Sequence, residues 1–156
     1  MFCQDFMFYC THRVLHTRWC YKYVHKQHHE YTEAVSIGSE LAHPIEFVFG
    51  NAIPFLIGPM LLQSRCHKVT ILVWAIYLVY ETVDSHSGYE FPWSPYRLIP
   101  FSGNLCLTLA PASYHNYHHS HSKGNYSALF SLWDTVFSTN ESYYAYHEKQ
   151  KNKWLK

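Results

Sequence analysis

The sequence lacks the features that mark most small-domain chemistries. It has no Cys-x-x-Cys pair, and its cysteines, Cys3, Cys10, Cys20, Cys66 and Cys106, are odd in number. That argues against a disulfide framework and for a reducing compartment, so they read as small apolar residues. Charge of one sign is also missing: 12 Lys and Arg face 11 Asp and Glu, for a net charge of +1. No strong field draws nucleic acid or an acidic substrate, and no nucleic-acid partner is expected. There is no Gly-x-Ser-x-Gly elbow, no glycine-rich phosphate loop and no His-Glu-x-x-His; the run His28-His29-Glu30 does not supply that spacing. Met1–Cys10 carries no basic segment and is interrupted by Asp5, unlike a secretory leader. No internal repeat or low-complexity linker divides the 156 residues, which suffice for one domain.

What is present is aromatic and rich in imidazole. Aromatic residues make up 19% of the chain, and its 13 histidines outnumber its lysines and arginines. The mean hydropathy of -0.22 suggests a soluble protein only because His and Tyr crowd both ends. Residues 44–83 between them are apolar. Ile45–Leu62 is broken by Glu46 and Asn51 and punctuated by Gly50, Pro54, Gly58 and Pro59, which predicts a kinked helix. Val69–Val83 is the second apolar stretch, shorter than the roughly 20 residues that span a bilayer. The pair is expected to form a membrane hairpin over 44–83, with a buried hairpin in a soluble domain as the plainer alternative. Arg65 and Lys68 lie at its tip and the other basic residues lie beyond its open ends, so those ends are expected to face the cytosol. The remainder reads as helical. Phe2–Val24 is uninterrupted by Gly or Pro, and a helix is predicted through Tyr21–Tyr31. Loop is predicted over Ser87–Pro111, and helix again over Tyr126–Phe137 with Asn125 as N-cap.

The histidines fall into patterns: His12-Arg-Val-Leu-His16, His25-Lys-Gln-His28-His29 and His115-Asn-Tyr-His118-His119, with Asp84-Ser-His86 after the second apolar stretch. Helix positions i, i+3 and i+4 share a face. His12 and His16 therefore project together, and each His-x-x-His-His box offers three imidazoles on one face. Paired ligands on facing helices are the device of di-metal bundles. Eight imidazoles exceed the four of a structural zinc or the three of a catalytic one, and suit two ions. Ligand type alone admits Zn, Cu, Fe or Ni. His86 stands alone, either a ninth ligand or an ordinary helix-end residue. Glu30 and Asp84 are candidates to orient an imidazole N–H, or plain polar residues at helix ends. His43, His67, His121 and His147 belong to no pattern.

These motifs resemble the fatty acid hydroxylase/sterol desaturase superfamily, and within it the sterol 4-methyl oxidases (C-4 methylsterol monooxygenases). The likeness runs through the three boxes, Ala42-His43-Pro44-Ile45-Glu46, Asp84-Ser85-His86-Ser87-Gly88-Tyr89, Leu98-Ile99-Pro100-Phe101 and Gly124-Asn125-Tyr126. It implies an all-α, membrane-associated helical bundle with a membrane hairpin and a cytosolic histidine-rich di-metal site. The whole of 1–156 would be one fatty acid hydroxylase-like domain, without the family's N-terminal membrane helices. The implied cofactor is two non-haem Fe ions, with O2 as co-substrate. The ligands would be His12, His16, His25, His28, His29, His86, His115, His118 and His119. The implied reaction is oxidation of the C-4 methyl group of a sterol precursor at the endoplasmic reticulum membrane, the site facing the cytosol. Electrons would come from a donor such as cytochrome b5 and its reductase. A sterol C-5 desaturase, a lipid hydroxylase, a catalytically silent metal-binding paralogue and a zinc-handling protein remain as alternatives. Two further departures stand out beside the absent N-terminal helices. Gly103–Ser113 lengthens the stretch before the last box. Tyr114 and Ser113 occupy positions where the family usually has further polar residues. Ser138 stands where it commonly has glycine after Trp133-Asp-x-x-Phe137.

Overall fold

A computed structural model describes residues 1–94 and 109–154. Every regular element among them is helical; the lone β-bridge pairs Leu109 with Phe130. Helix α1, Phe2–Leu15, begins without a side-chain cap and ends at His16. The uninterrupted helix expected to Val24 does not form. Thr17 turns extended, with its hydroxyl donating to Val14 O at 2.7 Å, a local bond that competes with helix continuation. The chain restarts as α2, an α-turn over Arg18–Cys20 that widens into a π-turn over Tyr21–His25. The helix expected through Tyr31 is instead this π-turn followed by a 3-10 turn, His28–Glu30, in which His29 leaves helical geometry.

Helix α3 spans Pro44–Arg65 and α4 spans Lys68–Ser85. Both start on a histidine: His43 Nδ1 accepts from Ile45 N and His67 Nδ1 accepts from Val69 N, each at 3.2 Å. The expected kink in α3 takes the form of a π-turn over Phe47–Ala52, just before Pro54. Proline lacks the N–H that would bond four residues back, and a widened turn reroutes the ladder. The helix is long and apolar enough to cross a membrane, with a mean hydropathy of 1.7 and only 17% of that stretch buried. Helix α3 packs along α1, whereas α4 packs against the Ser36–Glu40 turn and α5, Ala112–His121. The two apolar helices thus lean on different partners.

After α5 come the short α6, Leu132–Val136, and α7, Glu141–Trp154. The helix expected over Tyr126–Phe137 is confined to α6. Asn125 is no N-cap: its φ is 55°, and its side-chain amide donates to Tyr114 O at 3.0 Å. Asp134 organises this region, accepting from Tyr126 N and Ser127 N, each at 2.8 Å, and from Thr139 Oγ1 at 2.6 Å. Gly124 has φ 75°, and a Cβ there would collide with Thr139 O. Ser138 also sits in the left-handed region at φ 53°, which is why a glycine suits that position. The departure at Tyr114 is a packing one, since it is buried with Tyr117 and Tyr143 in an aromatic cluster. Much of the predicted Ser87–Pro111 loop, including Leu98–Phe101 and Cys106, lies outside the described residues.

Inside and outside are inverted relative to a soluble domain. Among the described residues the buried set holds more polar and charged side chains than apolar ones. Meanwhile Phe47, Phe49, Leu56 and Leu61 of α3 and Leu72, Val73, Ile76 and Val79 of α4 are exposed. Such a contiguous apolar exterior is costly in water.

Candidate metal centre

The nine predicted histidines converge, and they sort into two groups. His12, His16, His25, His29 and His118 form one; His28, His86, His115 and His119 form the other. Within each group the candidate ligand nitrogens lie within 4.8 Å of one another. The sorting differs from the three-imidazole faces expected of the boxes. The i, i+4 pairs stay together, His12 with His16, His25 with His29, and His115 with His119. The middle histidine of each later box crosses over: His28 joins His115 and His119, and His118 joins His25 and His29. Boxes two and three therefore each reach both groups. In box two the π-turn and the non-helical His29 fan the rings apart; in box three α5 is regular, and the i+3 ring is offset from the i, i+4 pair. His86 arrives as the C-cap of α4, its Nε2 2.9 Å from His115 Nε2 and 3.3 Å from His28 Nε2.

The far nitrogens fix the tautomers. His12 Nδ1 donates to Tyr126 O at 2.8 Å, His118 Nδ1 to Gly124 O at 2.6 Å and His86 Nδ1 to Thr82 O at 2.8 Å. His25 Nδ1 donates to the Glu46 carboxylate at 2.8 Å. Spending the one proton of a neutral ring on Nδ1 leaves a bare lone pair at Nε2. His12 Nε2 and His25 Nε2 nevertheless face each other at 3.1 Å, and His118 Nε2 is buried with no hydrogen-bond partner. Converging lone pairs repel unless a cation lies among them. The spacing fits one: at metal–nitrogen bonds of roughly 2.0–2.1 Å, ligands at right angles stand roughly 2.9 Å apart and tetrahedral ligands roughly 3.3 Å. In the five-histidine group the close contacts are 3.0 and 3.1 Å, and in the other 2.9, 3.1 and 3.3 Å. Those values span the interval between the two cases.

Burial and neighbouring imidazoles keep the rings unprotonated. Burial holds His16 and His119 down to about 4, and burial with the neighbouring imidazoles holds His29 and His86 down to about 3. The others are also pushed below their ordinary range by burial and then by neighbouring rings. Neutral imidazole is the form that ligates.

The acidic candidates need correcting. Glu30 is exposed, and Asp84 accepts from Ser94 Oγ at 3.0 Å, so neither carboxylate orients a ring. Glu46 does so instead. Its signal was its place as the acidic interruption of an apolar run, where an ionisable group calls for a partner. The unpatterned histidines stay out of both groups. His43 and His67 cap helices, His121 stacks on Tyr117 at 4.0 Å, and His147 lies against Tyr143 at 4.4 Å.

A cavity of about 390 Å³ opens beside the imidazoles. Its walls include His12, His28 and His115, and also Phe55 of α3 with Ala75 and Val79 of α4. From Glu46 to Phe55 the α3 wall extends roughly 13 Å at 1.5 Å per residue.

An apolar exterior and a buried poly-imidazole cluster beside a cavity are the features that a metal-binding, membrane-associated helical protein requires. The chain belongs to the fatty acid hydroxylase family, whose sequence model matches residues 1–139; enzymes of this family are iron-dependent oxidoreductases. Among curated relatives, it is 41% identical to the very-long-chain aldehyde decarbonylase GL1-8 of Oryza sativa over 97% of this chain and 55% of the relative. It is 41% identical to methylsterol monooxygenase 2-1 of Arabidopsis thaliana over 90% of this chain and 53% of the relative. To methylsterol monooxygenase 1 of Gallus gallus it is 38% identical, over 98% and 48%. The chain spans about half the length of the curated relatives it matches. No solved structure matches it.

Proposed function

We propose that this chain forms, as one domain over 1–156, the catalytic unit of a non-haem di-iron oxidoreductase that uses O2 to oxidise the C-4 methyl group of a sterol precursor. The observation that carries the reading is the division of nine neutral imidazoles into two groups at the wall of a cavity lined by exposed-face apolar helices. His12, His16, His25, His29 and His118 would hold one iron, and His28, His86, His115 and His119 the other. When bound, the irons supply the oxidising power that an unactivated C–H bond requires, with O2 as oxidant and an external electron source. The chain's own residues position and insulate. Tyr126 O, Gly124 O, Thr82 O and Glu46 lock the imidazole tautomers. Phe55, Leu78 and Val79 give the cavity an apolar wall that favours lipid and excludes water.

The exposed faces of α3 and α4 support a hairpin over 44–83 within the endoplasmic reticulum membrane, with both open ends and the site on the cytosolic side. The membrane then delivers the lipid directly to the cavity. The equal identity to an aldehyde decarbonylase favours a second reading, in which the substrate is a long-chain aldehyde. Feeding 4-methylsterol and long-chain aldehyde to the iron-supplied protein, with mass spectrometry of products, separates the two. Oxidised 4-methyl product carries the first reading. Alkane from aldehyde with untouched sterol carries the second, and no product from either in a protein holding two irons sinks both.

A further inference from the structure

The cavity serves lipid, but electrons for such a reaction come from outside the bilayer. A second, shallow depression lies on α2 and shares no wall residue with the cavity. It is lined by residues that include Tyr21, Lys22, Lys26 and His29 of the five-histidine group. Tyr21 is half-buried, and its ring centroid lies 5.5 Å from His16, 5.7 Å from His29 and 6.1 Å from His25. All three belong to the five-histidine group. One aromatic ring thus bridges the surface and that group.

The face around it is basic. Arg18, Lys22 and Lys26 recur every four residues along α2 and are exposed. Lys123 is exposed beside Ser122, whose Oγ is 3.4 Å from the Tyr21 hydroxyl. Trp19 and Tyr23 are exposed on the same helix, at 67% and 56%. The acid at the rim of the depression is Glu30. In a chain of net charge +1, this is a local concentration of cations against a partly open edge of the site, where His16 and His29 are half-buried.

We propose that the α2 face is the docking surface of an acidic one-electron carrier protein, with Tyr21 as the ring through which the electron reaches the five-histidine group. The inference rests on the oxygenase reading above. Oxidising a C–H bond to an alcohol follows R–H + O2 + 2 e⁻ + 2 H⁺ → R–OH + H2O. A one-electron carrier therefore docks twice per turnover and is oxidised once each time. Rim charges chiefly set association and salt dependence, which suits a partner that must arrive and leave repeatedly. Basic residues beside exposed aromatics also occur on helices that lie on membranes. Here the depression leads to His29 and is separate from the lipid-facing cavity, which favours the carrier.

The test uses the iron-loaded chain in lipid nanodiscs, with the acidic haem domain of cytochrome b5 as probe. Charge reversal by Arg18→Glu, Lys22→Glu and Lys26→Glu together should weaken binding roughly tenfold or more at low salt, with the gap closing as salt rises. Tyr21→Leu should slow anaerobic re-oxidation of the haem at saturating carrier, and Tyr21→Phe should restore it. Iron content and reduction of the irons by dithionite should be the same in all variants. Unchanged affinity in the charge-reversed protein overturns the proposal. So does loss of binding to phosphatidylcholine–phosphatidylserine vesicles with carrier affinity intact, which would make α2 a membrane-surface helix. An equal rate in Tyr21→Leu overturns the route through the ring. If dithionite cannot reduce the irons of the unmodified protein, the oxygenase reading itself fails, and the docking proposal with it.

Discussion

His118 carries the sharpest residue-level test, because its Nε2 is buried without a partner in the five-histidine group. His118→Ala and His86→Ala remove one imidazole from different groups. Each should lower iron from two per chain toward one, measured by elemental analysis, while a doubly substituted chain holds almost none. Loss of both irons in either single variant would mean one shared site. Glu46→Gln should keep the fold and weaken metal affinity by roughly 10–100-fold, since the His25 ring loses a charged anchor. The loop that offers Tyr126 O and Gly124 O gives a stability test. At Ser138 the left-handed φ costs a non-glycine residue roughly 1–2 kcal/mol, so Ser138→Gly should raise the unfolding midpoint. Gly124→Ala should lower it sharply, because the backbone of Thr139 blocks any Cβ. Equal midpoints for the three proteins would refute this account of the loop.

At the level of elements, the histidine patterns told more about the site than about the helices that carry it. Spacing alone brought out eight of the nine residues, because i, i+3 and i+4 neighbours must share a side of any helical turn, whereas His86 stands in no box and joined the set only through the family resemblance. It could not show how the boxes divide. That depends on a π-turn at Tyr21–His25 and on ring offsets along α5, and neither has a local sequence signal. Likewise Phe2–Val24 has helix-forming composition throughout, and a single threonine hydroxyl bonding backward ends the helix. Glu46 was visible as an acid in an apolar run, but its partner lies 21 residues away and only the fold brings the two together. The apolar pair α3 and α4 gives the element-scale prediction. Single cysteines placed near Arg65 and Lys68 should be shielded from an impermeant reagent added to sealed microsomes, while cysteines near Lys123 and Lys149 react. Equal labelling at both ends would exclude the hairpin.

For the molecule as a whole, an interior of neutral imidazoles makes the metal-free chain sensitive to acid. The folded-state values of the site histidines lie below the ordinary 6.5, at about 4 for His16 and His119 and about 3 for His29 and His86. Their contribution to stability is present above pH 6.5. It is lost as pH falls toward 4 and below, where the unfolded chain takes up protons that the folded chain does not. Thermal melts of metal-free protein should therefore fall steeply from pH 6.5 to 4. Bound iron should delay the fall, since protons and metal compete for the same nitrogens. A flat profile would mean that the rings are hydrated rather than packed. The two apolar helices meet this centre separately. Helix α3 bears Glu46, which grips a ring of the five-histidine group, and α4 ends in His86, a member of the four-histidine group. They act as two lever arms, each fastened to one half of the centre. On the membrane reading proposed above, lateral pressure and hydrocarbon thickness would press on the outer ends of those levers. The separation of the halves would then be a quantity that lipid composition tunes, and iron–iron coupling is expected to differ between thin and thick nanodiscs.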